Sequence, residues 1–160
     1  MITTTAFRAS SATDMELELC TFEKDDIPAL VEIENLSFST PFKEKDFYDI
    51  YTSDISNAIV AKRCGKVVGY VSFTTIIDEC QIINFATHPQ YRRCGVGKAV
   101  MDGLIRYCKQ NGVLKVFLEV RESNVGAISL YEKYGFVSVG ISKNHFSCPR
   151  ENAILMNLEF

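Results

Sequence analysis

Apolar and polar positions along the chain recur with two periods, and the switches between them divide it into elements. Met15-Glu16-Leu17-Glu18-Leu19 alternates apolar with acidic residues, the pattern of a strand with one wet face. Asp25 or Asp26 can then cap a helix in which Ile27, Leu30 and Val31 share a face, with Pro28 in the tolerant first turn. Thr40-Pro41 reads as a second N-cap followed by an N1 proline, and Phe47, Ile50 and Tyr51 form that helix's buried stripe. Residues Asn57 to Arg63 and Lys66 to Thr74 are β-rich runs joined at Cys64-Gly65, a hairpin signature. Another strand covers Glu79 to Thr87 and ends at His88-Pro89. Val96, Val100, Leu104 and Cys108 recur every fourth residue up to a stop at Gly112, which predicts an amphipathic helix. Lys115 to Val120 is a strongly apolar strand, and Asn124 can cap a helix presenting Ala127, Leu130, Tyr131 and Tyr134 before Gly135. Phe136 to Ile141 and Ala153 to Leu158 close the chain as two strands. The predicted order is strand, two helices, three strands, helix, strand, helix, two strands: a single mixed α/β domain from residue 15 to 160.

Residues 1–14 carry no such period and are rich in Ser, Thr and Ala. They lack the apolar segment of a secretory signal, and Arg8 among hydroxyl residues is a faint transit-peptide feature, so a disordered leader is the reading adopted. Met15 is an alternative start. At 160 residues, 47% apolar and 23% charged, the chain has the material for a full core without staples. Its net charge of −3 and lack of a strongly basic face argue against nucleic acid as the main direct partner. Apolar runs all fall short of the roughly 20 residues that span a bilayer, so no membrane partner is expected. The six cysteines form no Cys-x-x-Cys pair and only two histidines accompany them, which leaves little for a metal site and points to free thiols in a reducing cytoplasm.

Against this acidic background, Tyr91-Arg92-Arg93-Cys94-Gly95-Val96-Gly97-Lys98 concentrates cations and glycines between a strand and a helix. A glycine turn at a helix start offers unpaired N–H groups and the positive end of the helix dipole, which together suit a phosphate. It is not a Walker loop, because Arg92 and Ala99 stand where a glycine and a magnesium-binding hydroxyl are needed. Val100 in place of a third glycine excludes the dinucleotide fingerprint. The remaining Arg-x-x-Gly-x-Gly string resembles the coenzyme A pyrophosphate loop of the GCN5-related N-acetyltransferases, though a plain helix-start turn carries similar residues. Cys94, beside two arginines, is either a reactive thiol or a passive loop residue.

The resemblance extends from Phe38 to the C-terminus. Thr40 to Phe47, Ile83-Asn84-Phe85-Ala86, Leu118-Glu119-Val120-Arg121-Glu122-Ser123-Asn124, Ala127 to Phe136 and Arg150-Glu151-Asn152-Ala153 are similar to the branch of that family that acetylates ribosomal-protein alanine. The Glu-Val-Arg-x-Ser-Asn block followed by Leu-Tyr-x-x-x-Gly-Phe is the specific part. The resemblance implies a mixed, mostly antiparallel sheet whose central parallel strands splay apart between flanking helices. It also implies that acetyl coenzyme A enters that gap as co-substrate, with no metal.

Because the thioester is already activated, the protein needs a base, an acid, oxyanion donors and accurate positioning rather than a nucleophile of its own. The resemblance makes Glu119 the base, acting directly or through a water; the strand pattern alone allows a solvated carboxylate or a partner of Arg121. Phe117, sharing its face, would raise its proton affinity. It makes Tyr131 the acid in preference to Tyr134, where the pattern alone allows a core tyrosine. Asn124 is a helix cap by position and a contact to the cofactor arm by resemblance. Asn84, Phe85 and Ala86 would offer backbone groups to the pantetheine amides and the oxyanion. Arg92, Arg93, Cys94, Gly95, Val96, Gly97 and Lys98 would hold the pyrophosphate, chiefly through main-chain amides.

The implied acceptor is a protein N-terminal α-amine, in the branch's best-known case the first alanine of a small-subunit ribosomal protein. Three departures fall on that acceptor side: Phe42 replaces the branch's usual tryptophan, His145-Phe146 replaces a Tyr-Tyr pair, and Ser147-Cys148-Pro149 shortens the following loop. His145 is there an extra base or an exposed loop residue. A lysine side chain or small amine is the alternative acceptor, and a noncatalytic acetyl coenzyme A-binding module is the alternative class.

Overall fold

The computed structural model describes Phe7–Arg8 and residues 17–160, and among them eight strands form one sheet in the order β1-β2-β3-β4-β5-β6-β8-β7. The strands are β1 (Phe7–Arg8), β2 (Leu17–Thr21), β3 (Ser56–Arg63), β4 (Lys66–Ile76), β5 (Glu79–Thr87), β6 (Lys115–Arg121), β7 (Val137–Ser147) and β8 (Arg150–Glu159). Four helices accompany them: α1 (Ile27–Ser37), α2 (Glu44–Thr52), α3 (Val96–Gln110) and α4 (Val125–Lys133). From β2 onward the element order is the one predicted. Of the expected leader, Phe7–Arg8 pairs antiparallel with Leu19 and Glu18; the rest of residues 1–14, like Met15 and Glu16, lies outside the described residues.

β3 and β4 are covered on both faces, which is why Ala58 to Ala61 reads as an unbroken apolar run. Ala58, Val60 and Tyr70 meet Leu30, Ile33 and Phe47 of α1 and α2, while Ile59, Ala61, Val71 and Phe73 meet Val100, Met101 and Leu104 of α3. The hairpin turn uses Cys64 and Gly65, both at positive φ (51° and 76°), as a two-residue reversal requires. Gly69 answers a different need: a Cβ there would lie 2.5 Å from Val96 Cγ1, so its bare backbone lets the start of α3 seat directly on β4.

Two local expectations fail. The second helix starts at Glu44 with Lys43 as N-cap, not at Thr40-Pro41, because Asp46 Oδ2 accepts the Lys43 N–H at 2.7 Å and supplies the cap from inside the helix. Tyr51, expected in its buried stripe, is 47% exposed at the rim, where its ring meets Phe22 edge-on at 5.8 Å.

The sheet is antiparallel except where β5 meets β6, and that parallel contact lasts only three rungs, from Glu79–Lys115 to Gln81–Phe117. Beyond it β5 is drawn toward β4 through a bulge: Ser72 pairs with Asn84 but Phe73 with Ile82, leaving Ile83 without an opposite residue. The two strands therefore separate, and the site lies in the opening.

Candidate acyl-transfer site

A cavity of about 560 Å³ fills this splay. Ile82 to Phe85 of β5 form one wall and Leu118 to Arg121 of β6 the other; Glu34, Phe42, Tyr131, Asn124 and His145 complete it. Strand alternation selects what each wall presents. Val116, Leu118 and Val120 are buried on one face of β6, so Glu119 and Arg121 stand on the other.

On β5 the Asn84 N–H donates to Ser72 Oγ at 3.1 Å, and beyond the strand His88 N–H donates to the Val68 carbonyl at 2.8 Å; both groups turn toward β4. By the alternation of an antiparallel ladder, the backbone groups of Ala86 also face β4 and those of Phe85 face the opening. Of the three residues expected to offer main-chain groups there, Phe85 is the one so turned. Asn84 contributes differently: its Nδ2 donates to Glu34 Oε1 at 2.8 Å.

Glu34 is the buried carboxyl of the site and was missed in the sequence. It is 0% exposed, Tyr70 Oη also donates to its Oε1, and the Phe42 N–H donates to Oε2 at 2.9 Å. Burial pushes its pKa up to about 7, against the lowering effect of the Phe42 and Asn84 hydrogen bonds. The signal was available, because position 34 continues the phase of Ile27 and Leu30 and so had to fall on the apolar face of α1.

Glu119 does not pair with Arg121. Arg121 donates from Nη1 to Glu151 Oε2 (3.2 Å) and the Pro149 carbonyl (3.0 Å), and from Nη2 to the Cys148 carbonyl (3.2 Å). Its guanidinium lies 4.2 Å from the centre of the Phe146 ring. Glu151 is held below the usual carboxylate range by hydrogen bonds from Ser123, with Arg121 adding to the effect. These contacts pin the β7–β8 turn over the cavity, and Ser39 Oγ donates to the Cys148 carbonyl from the segment between α1 and α2.

Glu119 instead meets His145, whose Nε2 lies 2.7 Å from Glu119 Oε2. The Glu119 side chain is 40% exposed, so the dry setting expected from Phe117 is absent. His145 is not a loop residue: β7 runs on to Ser147, and Lys143 to His145 form a bulge between the Ser142–Ala153 and Phe146–Glu151 pairs. Asn144 takes a φ of 51° and donates its N–H to Asn152 Oδ1 at 2.9 Å, which re-aims the next side chain, His145, toward β6.

Tyr131 is 5% exposed, packed edge-on against Phe85 at 6.0 Å and tilted against Phe136 at 5.7 Å. Burial raises its pKa, so the phenol stays protonated throughout the neutral range. Tyr134 points to α3, donating to Asp102 Oδ1 at 2.6 Å with the Lys98 carbonyl 3.0 Å away. Asn124 is the cap its position predicted, Oδ1 accepting the Ala127 N–H at 3.2 Å, and it also lines the cavity.

The glycine turn lies beside these groups. Gly95 is the N-cap of α3 with φ 79°, and as a glycine it brings no side chain to occupy the first N–H groups of that helix. A Cβ on Gly97 would stand 3.7 Å from Phe85 Cε1, which places the helix start next to the cavity wall. Val96 is buried, anchoring the turn, while Arg92, Arg93, Cys94 and Lys98 are exposed. Arg92 Nε donates to the Thr87 carbonyl at 3.4 Å, and Lys98 pairs with Asp102 at 3.2 Å.

A splayed parallel pair, a glycine-capped helix start at one end and an ionisable cluster between the strands define an acyl-transfer fold. Residues 27–136 match the model of the acetyltransferase (GNAT) family, and the chain belongs to that family as an N-acetyltransferase. It is similar to the [ribosomal protein bS18]-alanine N-acetyltransferase of Escherichia coli strain K12, 34% identical over 142 residues that cover 88% of this chain and 95% of the relative. Among solved structures it resembles the ribosomal-protein-S18-alanine N-acetyltransferase from Escherichia coli (TM-score 0.83, 32% identity, 89% of this chain and 93% of the other). Ard1 from Thermoplasma volcanium is also similar (TM-score 0.80, 30% identity, 89% and 97%).

Proposed function

We propose that this enzyme transfers the acetyl group of acetyl coenzyme A to the α-amine of a protein N-terminus, with the N-terminal alanine of a ribosomal protein as the favoured acceptor. The observation that carries this reading is the convergence of Glu119, Tyr131 and the turned-out backbone of Phe85 on one cavity beside the glycine-capped start of α3. The similarity to bS18-alanine N-acetyltransferases over most of both chains supports the acceptor class. In this reading the protein works in the cytoplasm. Among the described residues, no helix is long and apolar enough to cross a membrane.

The acetyl coenzyme A fit rests on this chain's own groups. The N–H groups of Val96, Gly97 and Lys98 at the start of α3 receive the pyrophosphate, with Arg92 and Arg93 adding positive charge beside Cys94 and Gly95. Phe85 offers its main-chain carbonyl to a pantetheine amide and its N–H to the developing oxyanion; Asn84 and Ala86 shape that wall, and Asn124 lines the arm's path. Bound there, the thioester supplies the activated acyl group.

An α-ammonium with a pKa near 8 must first lose a proton. Glu119 takes it, directly or through a water, and the freed lone pair forms the N–C bond. The nitrogen sheds a second proton as the C–S bond breaks, and Tyr131 protonates the departing sulfur, recovering its own proton from water. Two protons leave the nitrogen and one reaches the thiol, so one is released overall. Although burial makes Tyr131 a weaker acid, a thiolate formed beside that buried phenol is destabilised by the same desolvation.

The test is turnover of a panel of N-terminal peptides, lysine peptides and small amines. Alanine-initiated peptides are expected to be preferred, and Tyr131→Phe to lower kcat about tenfold or more. Turnover of lysine or small amines alone would refute the acceptor assignment, and acetyl coenzyme A binding without any turnover would favour a noncatalytic module. At the other end of the site, Gly95→Ala imposes a left-handed conformation costing about 1–2 kcal/mol on a residue with a Cβ. It is expected to raise the KM for acetyl coenzyme A about tenfold with little change in kcat; an unchanged KM would remove the glycine turn from the cofactor site.

A further inference from the structure

We propose that His145 is the positioning residue for Glu119: a neutral imidazole that donates its Nε2–H to Glu119 Oε2 and so presents the other carboxylate oxygen to the acceptor amine. This rests on the reading of Glu119 as the base. A half-exposed glutamate on a strand has several rotamers open to it, and a base must lie within hydrogen-bond reach of one particular proton. The 2.7 Å contact selects one of them.

The surroundings support that contact from the far side of the ring. Ser142 Oγ lies 3.3 Å from His145 Nδ1; when the hydroxyl donates there, Nδ1 is an acceptor and the proton must sit on Nε2, facing the carboxylate. The ring packs edge-on against Phe146 at 4.9 Å, and Arg121 covers Phe146 from beyond at 4.2 Å. Arg121 is committed to Glu151 and the β7–β8 turn. Arg121 is thereby kept off Glu119, and in the proposal a neutral donor stands in its place. The distinction matters because a paired cation would stabilise the carboxylate and weaken it as a base, whereas a neutral donor fixes its direction at smaller loss of basicity.

Four single variants in a peptide-acetylation assay, each with acetyl coenzyme A binding measured by calorimetry, test this. His145→Phe keeps a ring and removes the donor, and is expected to lower kcat about 10- to 30-fold with KM and cofactor affinity little changed. His145→Gln restores a neutral N–H donor and is expected to return to within about threefold of the wild type, whereas His145→Lys, a donor carrying charge, stays as impaired as His145→Phe. A purely structural role for the ring would make Gln and Lys equally poor, which would overturn the proposal. So would a His145→Phe enzyme within twofold of the wild type while Glu119→Gln is inactive. Full activity in Glu119→Gln would instead overturn the underlying reading of the base. Should His145→Phe fail to fold, the Gln and Lys pair still decides.

Discussion

Glu119→Gln is expected to lower kcat for an N-terminal peptide by about 100- to 1,000-fold while leaving acetyl coenzyme A binding intact. Glutamine preserves size and still accepts a hydrogen bond from His145, so the change isolates the loss of a proton acceptor. The carboxylate stands on the cavity face of β6, across from the wall formed by Ile82 to Phe85, and the start of α3, proposed above for the cofactor's phosphates, is a different element. The effect therefore belongs in kcat and in the KM of the acceptor, which loses an anionic partner for its ammonium. Steady-state kinetics with the peptide varied at saturating cofactor, beside calorimetric titration, separates the two. A variant retaining more than about a tenth of wild-type kcat would mean that the amine loses its proton elsewhere.

The second large effect is on stability, and it runs against the usual direction for a carboxylate. Glu34 has a pKa of about 7 in the folded protein against 4.5 for the ordinary group. Between those values the folded state holds a proton that the unfolded chain has already lost, so stability falls as pH rises from about 4.5 to about 7 and then levels off. The loss amounts to about 3 kcal/mol at neutral pH and above. Glu34→Gln removes the titration while leaving a group that can accept the Phe42 N–H, with Tyr70 and Asn84 able to turn toward its amide. Urea denaturation at pH 5 and pH 8 should therefore show the variant gaining about 2–3 kcal/mol relative to the wild type between the two. An equal difference at both pH values would show that Glu34 does not titrate in this range. The ionised, desolvated carboxylate tolerates neutral pH because three donors converge on it, and those donors tie α1 to Phe42, β4 and the β5 bulge. Part of the folding energy is thus spent on the wall of the cavity.

Most of the architecture was legible in the chain because periodicity is a local property. Val96, Val100, Leu104 and Cys108 had to lie on one side of α3, and Val116, Leu118 and Val120 on one side of β6, whatever they packed against. The strand Glu79–Thr87 and the Cys64-Gly65 reversal were visible for the same reason. The start of α2 was misplaced because Thr40-Pro41 and Asp46 are competing cap signals, and the acidic residue won from inside the helix. The outer half of β7 was hidden because Ser142 to Ser147 carries no alternation: its bulge and exposed faces put polar residues at every phase.

The candidate site divides along the same line. Glu119, Tyr131, Asn124 and the glycine turn were singled out by short motifs, each of which maps onto one element end or one strand face. Glu34 was not, and His145 stood out only as a departure with its role left open, since each acquires its part only from a distant partner. Glu34 meets Asn84 across 50 positions and Tyr70 across 36, and His145 meets Glu119 through a bulge whose register is set by β8.

By itself, then, the chain's amino-acid order determined which faces would be buried and where the helices and strands would alternate, and its motifs named the candidate side chains. The tertiary structure alone decided where the splayed strands β5 and β6 part, after three rungs, that Arg121 turns to Glu151, and that a histidine closes on Glu119. The physical reason is range. Hydrophobic phase and capping act over a few residues and are written in each segment, whereas bulge register and charge partnership are choices among distant groups that only packing brings within hydrogen-bonding reach.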